Sequence, residues 1–217
     1  MDRRQRGQRR AVRLQGLLAD GRPVRRVHPD EHRRLACLAP RREHRLSRIV
    51  ALLGAECTGK STLAEALAAR FSAGLVTEYL REWCDTHGRT PQQHEQAHIA
   101  AEQARRIDAA AQAHRLVFCD TTPLITALCS QHYFHDDSLL AGAVDFQRGC
   151  DLTLLCAPDL PWQPDGIQRD GPAVRAAFDA RLRQALAAHD LPWVDIAGQD
   201  DMRLQQAISV LQRPSSK

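Results

Sequence analysis

The chain has 217 residues, 43% of them hydrophobic and 26% charged, with a formal net charge of +4. That supports one domain's core with an appended segment. Charges interrupt the apolar residues too often for a spanning helix of roughly 18 residues, and no apolar signal stretch follows the basic start, so a cytoplasmic protein away from membranes is expected.

Charge is unevenly placed. Residues 1–48 hold 15 Arg against five acids, a balance of +10, so the rest of the chain carries −6. Basic tails bind nucleic acid or membrane surfaces. This one shows no sustained helical or strand period, which favours an Arg-rich extension outside the fold, disordered or begun at a start codon set too far upstream. Nucleic acid is therefore not an expected partner, and the domain is placed at residues 48–213. Seven cysteines scattered singly, with no C-x-x-C pair, are expected to be reduced thiols.

From Arg48 the elements alternate. Residues 48–53 form an almost continuous apolar run ending at Gly54, the signature of a strand buried on both faces of a parallel sheet. Leu63, Ala64, Leu67 and Ala68 recur at helical spacing over 60–71, and 74–79 reads as a second strand. Pro91 opens a long amphipathic helix over 91–114, followed by a third strand at 116–119. Pro123 starts the next helix, 134–150 reads as irregular or shortly helical, and 152–156 is a fourth strand. Residues 157–171 hold three prolines and two glycines and are expected to be a lid-like loop. A helix over 173–189, a strand over 193–196 and a closing helix over 202–211 complete an α/β three-layer fold with a mostly parallel sheet.

Gly54-Ala55-Glu56-Cys57-Thr58-Gly59-Lys60-Ser61 matches G-x-x-x-x-G-K-[ST] between a strand and a helix. Glycines let backbone N–H groups turn inward around phosphate oxygens, and the helix N-terminus adds a favourable dipole. Lys60 is then expected to reach the outer phosphates, Ser61 to ligate Mg2+, and Thr62 to complete the ATP-binding stretch. Only two of the chain's 30 basic residues are lysine, Lys60 and Lys217. A chain that otherwise uses Arg has placed a compact ammonium at one internal position, where a planar guanidinium is no substitute.

Asp120 ends the third strand and suits the acid that holds magnesium beside such a loop, although an Asp there also suits a helix cap. The group Glu78-Tyr79-Leu80-Arg81-Glu82-Trp83 falls at the carboxyl edge of the sheet, where substrates lie in open α/β folds. Glu78 is the first candidate to position or activate an acceptor hydroxyl, with Asp120 the other, while Tyr79, Arg81 and Glu82 are candidate substrate contacts. In the proline-rich loop, Arg169 is the candidate to neutralise developing phosphoryl charge, and Asp165 and Trp162 are candidate substrate contacts. Trp83 is a second aromatic that could stack on a ring. No histidine-held metal is expected.

Four blocks in order, the phosphate loop, Thr77-Glu78-Tyr79-Leu80-Arg81-Glu82, Phe118-Cys119-Asp120-Thr121 and Pro161-Trp162-Gln163-Pro164-Asp165-Gly166, resemble the ribosylnicotinamide kinase domain of NadR-type NAD-salvage proteins. The resemblance spans about residues 48–212 and implies transfer of the terminal phosphoryl group of ATP to the 5′-hydroxyl of nicotinamide riboside. By matching position it implies Lys60 and Ser61 for ATP and Mg2+, Asp120 for the metal, Glu78 for the acceptor hydroxyl and Arg169 for the lid. The chain departs from that family in lacking a His-x-Gly-His motif, so no second, adenylyl-transferring step is expected of it. The alternatives are a kinase of another nucleoside or small alcohol, and a regulatory ATPase without a small acceptor.

Overall fold

The computed structural model describes residues 47–163, 171–199 and 201–213. Five strands, β1 (Arg48–Leu53), β2 (Gly74–Val76), β3 (Leu116–Asp120), β4 (Leu152–Cys156) and β5 (Val194–Ile196), form one sheet in the order β2-β3-β1-β4-β5. Every pairing is parallel. The helices between them are α1 (Lys60–Phe71), α2 (Tyr79–His87), α3 (Gln93–Ala113), α4 (Pro123–Phe134), α5 (Leu140–Arg148), α6 (Pro172–Ala188) and α7 (Asp201–Gln212).

The apolar run of β1 is continuous because both of its faces are covered. Val50 and Leu52 pack with Leu63, Leu67 and Phe118 under α1 and α7. Ile49 and Ala51 point the other way, against Ala104, Ile107 and Phe146 of α3 and α5. Leu53 joins the cluster built by α4 and α6 around Leu124, Leu128 and Leu182. Helices therefore cover both faces, and functional groups have room chiefly at the strand ends.

Two boundaries differ from the sequence reading. The second strand stops at Val76, and Tyr79 begins a nine-residue helix. Trp83, Cys84 and Ile99 form a small core of their own that holds α2 against α3, so the chain turns there and does not extend as a strand. Residues 140–148 are a full helix whose Phe146 and Gln147 are buried.

Candidate active site at the carboxyl edge of the sheet

The chain leaves β1 at Leu53 and enters α1 at Lys60 through the phosphate loop. Gly54 has φ of 148°, and a Cβ there would lie 2.7 Å from the Cys156 carbonyl oxygen and 2.8 Å from Thr58 Oγ1. Only glycine fits between the ends of β1 and β4. Gly59, at φ 73°, is the left-handed residue that starts α1. The loop is closed from within: Thr58 Oγ1 donates to the Ala55 carbonyl at 2.9 Å, and Lys60 Nζ donates to the same oxygen at 2.8 Å. The Lys60 ammonium thus lies over the hollow that its own backbone encloses.

Strand order decides what faces this loop. Register sets Asp120 of β3 beside Leu52 of β1, so Asp120 lies at the mouth of the loop. It is 3% exposed, and its Oδ1 has no hydrogen-bond partner among the described residues. The cap of α4 is Thr122, which makes no side-chain cap bond, so Asp120 Oδ1 is not occupied as a helix cap. The turn after Asp120 is held from below: Thr121 takes φ 71° and donates its N–H to Leu52 O at 3.1 Å, while Thr122 Oγ1 donates to Gln147 Oε1 at 2.6 Å. Gln147 in turn donates to Thr153 Oγ1 at 2.9 Å, completing a buried chain from α5 to β4.

Ser61, Glu78 and Asp120 line one cleft of about 460 Å³, with Thr77, Arg81, Glu82 and Asp85 also in its wall. Glu78 caps α2 without using its side chain for the cap, and Arg81 approaches it at 4.0 Å. Burial pushes the Glu78 carboxyl above its usual range, against the opposing pull of the Lys60 ammonium and with the Asp120 carboxylate adding to the rise. A buried orphan carboxylate oxygen beside a helix-start hydroxyl is an oxygen-only donor pair, and it fits the hard cation Mg2+. Ser61 and Asp120 are the residues that would hold it.

Other residues singled out in the sequence are placed differently. Glu82 lines the cleft but is held by Arg106, at 2.5 and 3.0 Å, and this pair keeps its carboxyl below the usual range. Tyr79 is not among the cleft residues; Arg106 stacks over its ring at 4.3 Å, and its hydroxyl lies 3.4 Å from His98 Nε2. Trp83 is buried, with His87 stacked on it at 3.9 Å, so its ring is already covered. Trp162 donates its indole N–H to Glu56 at 2.8 Å, which brings the start of the proline-rich loop onto the phosphate loop. Asp165 and Arg169 lie outside the described residues.

Against the expectation of no histidine-held metal, residues 94–98 spell His-Glu-Gln-Ala-His, the H-E-x-x-H pattern of zinc enzymes. Glu95, which such chemistry needs as a free base, is instead the capping-box partner of Gln92 and takes a two-pronged bond from Arg89 at 2.7 Å. That pairing holds its pKa down, at about 2. Among the described residues, no group of three His, Cys, Asp or Glu is placed to hold a metal.

Of two arginines at the loop, Arg175 lies just beyond the proline-rich loop that supplies the candidate Arg169, and Arg203 carried no sequence signal in so Arg-rich a chain. Arg175 donates to the Leu160 carbonyl at 2.9 Å and to that of Cys57 at 3.5 Å. Arg203 of α7 is 5% exposed and donates to the carbonyls of Thr58 (2.6 Å), Gly198 (2.7 Å) and Ala157 (2.9 Å), while pairing with Asp159. One guanidinium thereby ties the phosphate loop to the ends of β4 and β5. Arg203→Met is expected to cost about 2 kcal/mol or more, because it leaves the Thr58 carbonyl buried without its donor and also frees those of Ala157 and Gly198. Thermal melts and nucleotide titrations check this: an unchanged melting temperature with unchanged nucleotide affinity would mean that Arg203 does not support the loop.

A parallel sheet whose central strand feeds a glycine-rich phosphate loop into a helix defines a P-loop fold of the kinase type. The chain belongs to the family described as AAA domain, whose profile matches residues 49–203. It is 31% identical over 160 residues to the trifunctional NAD biosynthesis/regulator protein NadR of Salmonella typhimurium, an alignment covering 70% of this chain and 39% of that protein. The chain therefore spans about two-fifths of the length of the curated relatives it matches. Two crystal structures of NadR protein, one in complex with NR and one with NAD and AMP-PNP, superpose with a TM-score of 0.61 at 22% and 23% identity. They cover 76% of this chain and 51% and 49% of theirs. Thymidylate kinase from Ehrlichia chaffeensis shares the fold with a TM-score of 0.54 at 18% identity, over 76% of this chain and 99% of its own. No described helix is long and apolar enough to cross a membrane.

Proposed function

We propose that this chain is an ATP-dependent small-molecule kinase that phosphorylates the 5′-hydroxyl of nicotinamide riboside, giving nicotinamide mononucleotide and ADP. The observation that carries the reading is the convergence of Ser61, Glu78 and Asp120 on one cleft at the mouth of the Lys60 loop. The loop amides and Lys60 would bind the triphosphate of ATP. Mg2+, held by Ser61 and Asp120, would neutralise charge on the phosphate oxygens. The acceptor oxygen attacks the terminal phosphorus, the bond from that phosphorus to the β-phosphate oxygen breaks, and the hydroxyl proton passes to Glu78.

Charge supports the choice of acceptor. Glu65 and Asp85 line the cleft beyond Glu78 with a single lining arginine, Arg81, while the charge of Glu82 is offset by Arg106. A net-negative wall favours a cationic ring over a neutral one, and the pyridinium of nicotinamide riboside carries that charge. A coupled ADP-release assay against pyridinium, pyrimidine and purine ribosides tests this. At least about tenfold higher kcat/KM for the pyridinium riboside, worth about 1.4 kcal/mol, is expected. Folded protein with no riboside-stimulated ADP release would overturn the reading.

The Glu78 carboxyl sets the pH dependence. A base acts when deprotonated, so activity should fall as pH drops through a pKa lying above the ordinary carboxylate range. Glu78→Gln is expected to lower kcat by about a hundredfold and to remove that acid limb. Its stability should change in the opposite sense. A carboxyl whose folded pKa is raised destabilises the fold where it is ionised and ceases to do so once pH falls below its unfolded value. The variant should therefore melt higher than the parent at neutral pH and lose that advantage toward pH ~4. Unchanged kcat, or a lower melting temperature at neutral pH, would count against this role.

A further inference from the structure

The crossing from β2 to α2 is only two residues long, Thr77 and Glu78, and its backbone cannot satisfy itself. Thr77 O lies past the last ladder position of β2, and Tyr79 N is the first orphan donor of α2. Both are met by one side chain from another element. Gln103 of α3, 2% exposed, donates Nε2–H to Thr77 O at 3.3 Å and accepts the Tyr79 N–H on Oε1 at 2.8 Å. A planar amide carries one donor and one acceptor on the same carbon, so it can hold the peptide groups on both sides of a single residue. That residue is Glu78.

We infer that Gln103 is the positioning residue of the acceptor side: its amide clamps the backbone on both flanks of Glu78 and so aims the carboxylate into the cleft. The inference rests on the reading of Glu78 given above. Gln103 does not line the cleft, so it acts through the Thr77–Glu78 crossing that it holds. Leucine would fill the same space with neither bond, and glutamate would keep the acceptor for Tyr79 while losing the donor for Thr77. An acid displaced by about 1 Å costs on the order of a hundredfold in rate, while the phosphate loop, on a different strand, keeps its geometry.

The test is a double-mutant cycle on the full chain with ATP, Mg2+ and nicotinamide riboside, using Gln103→Leu, Glu78→Gln and the pair. Gln103→Leu is expected to lower kcat by about tenfold to a hundredfold and to leave the KM for ATP within about twofold. The acid limb of its pH profile should also move toward the ordinary carboxylate range. The pair should be no slower than Glu78→Gln alone, because a clamp has no effect once its carboxylate is gone. If Gln103→Leu does not fold, Gln103→Glu replaces it, with the same non-additivity required. Fully additive losses, or parental kcat in the Gln103 variant beside an impaired Glu78→Gln, would overturn the inference while leaving the role of Glu78 standing. Parental kcat in Glu78→Gln would remove that role and the inference with it.

Discussion

Lys60→Ala is expected to lower phosphoryl transfer by about a thousandfold or more, the scale set by a single well-placed cation at a transferring phosphoryl group. The fold should survive. Among the described residues the ammonium bonds to its own loop, at the Ala55 carbonyl, so the loss is about 1 kcal/mol of stability. The incoming triphosphate would compete with that carbonyl for the same donor, so Lys60 binds phosphate at the expense of a weak internal contact. Lys60→Arg should be nearly as inactive, because a planar guanidinium fork does not reproduce the approach of a compact ammonium to the outer phosphates. Single-turnover rates beside melting temperatures check both variants. Substantial turnover in Lys60→Ala would remove the loop from the reaction.

Asp120→Asn comes second. The substitution keeps shape and removes charge, so the Mg2+ needed for half-maximal rate should rise by at least about tenfold, the lower end of what even outer-sphere losses cost at metal sites. Its stability should not fall. Asp120 has a buried carboxylate oxygen without a partner among the described residues, and a neutral amide is less costly there than an unpaired charge when metal is absent. The contrast gives a clean test: Mg2+ titration of activity should separate parent from variant, whereas metal-free melts should not show the variant as weaker. An unchanged Mg2+ requirement would assign Asp120 to structure alone.

Both expectations start from residues visible in the sequence, and the reason is physical. A phosphate loop is made by consecutive backbone amides, so its glycines, lysine and serine must sit at fixed spacing whatever surrounds them. Asp120 was legible because a strand buried on both faces is an unbroken apolar run, and the first polar residue after it marks the sheet's carboxyl edge. The region around Glu78 was less legible. Its charged and aromatic residues read as the end of a strand, whereas the contact of Trp83 and Cys84 with Ile99 makes them a helix. The His94–His98 spelling, which the sequence reading did not use, shows that a complete local motif is not enough, since its Glu95 is already held by Arg89.

From the sequence alone came the P-loop fold class, the phosphate loop itself and the candidates Glu78 and Asp120, because each depends on neighbours along the chain. The tertiary structure decided which groups meet across the sheet. The order β2-β3-β1 brings Glu78 and Asp120 into one cleft with Ser61, and packing of α3 and α7 sends Gln103 to the flanks of Glu78 and Arg203 to Thr58 O. Gln103 lies more than twenty residues along the chain from Glu78, and Arg203 more than a hundred from Thr58. Periodicity along a helix specifies which face is buried, but the backbone group that a buried polar side chain must satisfy is supplied by whichever strand end the fold places there.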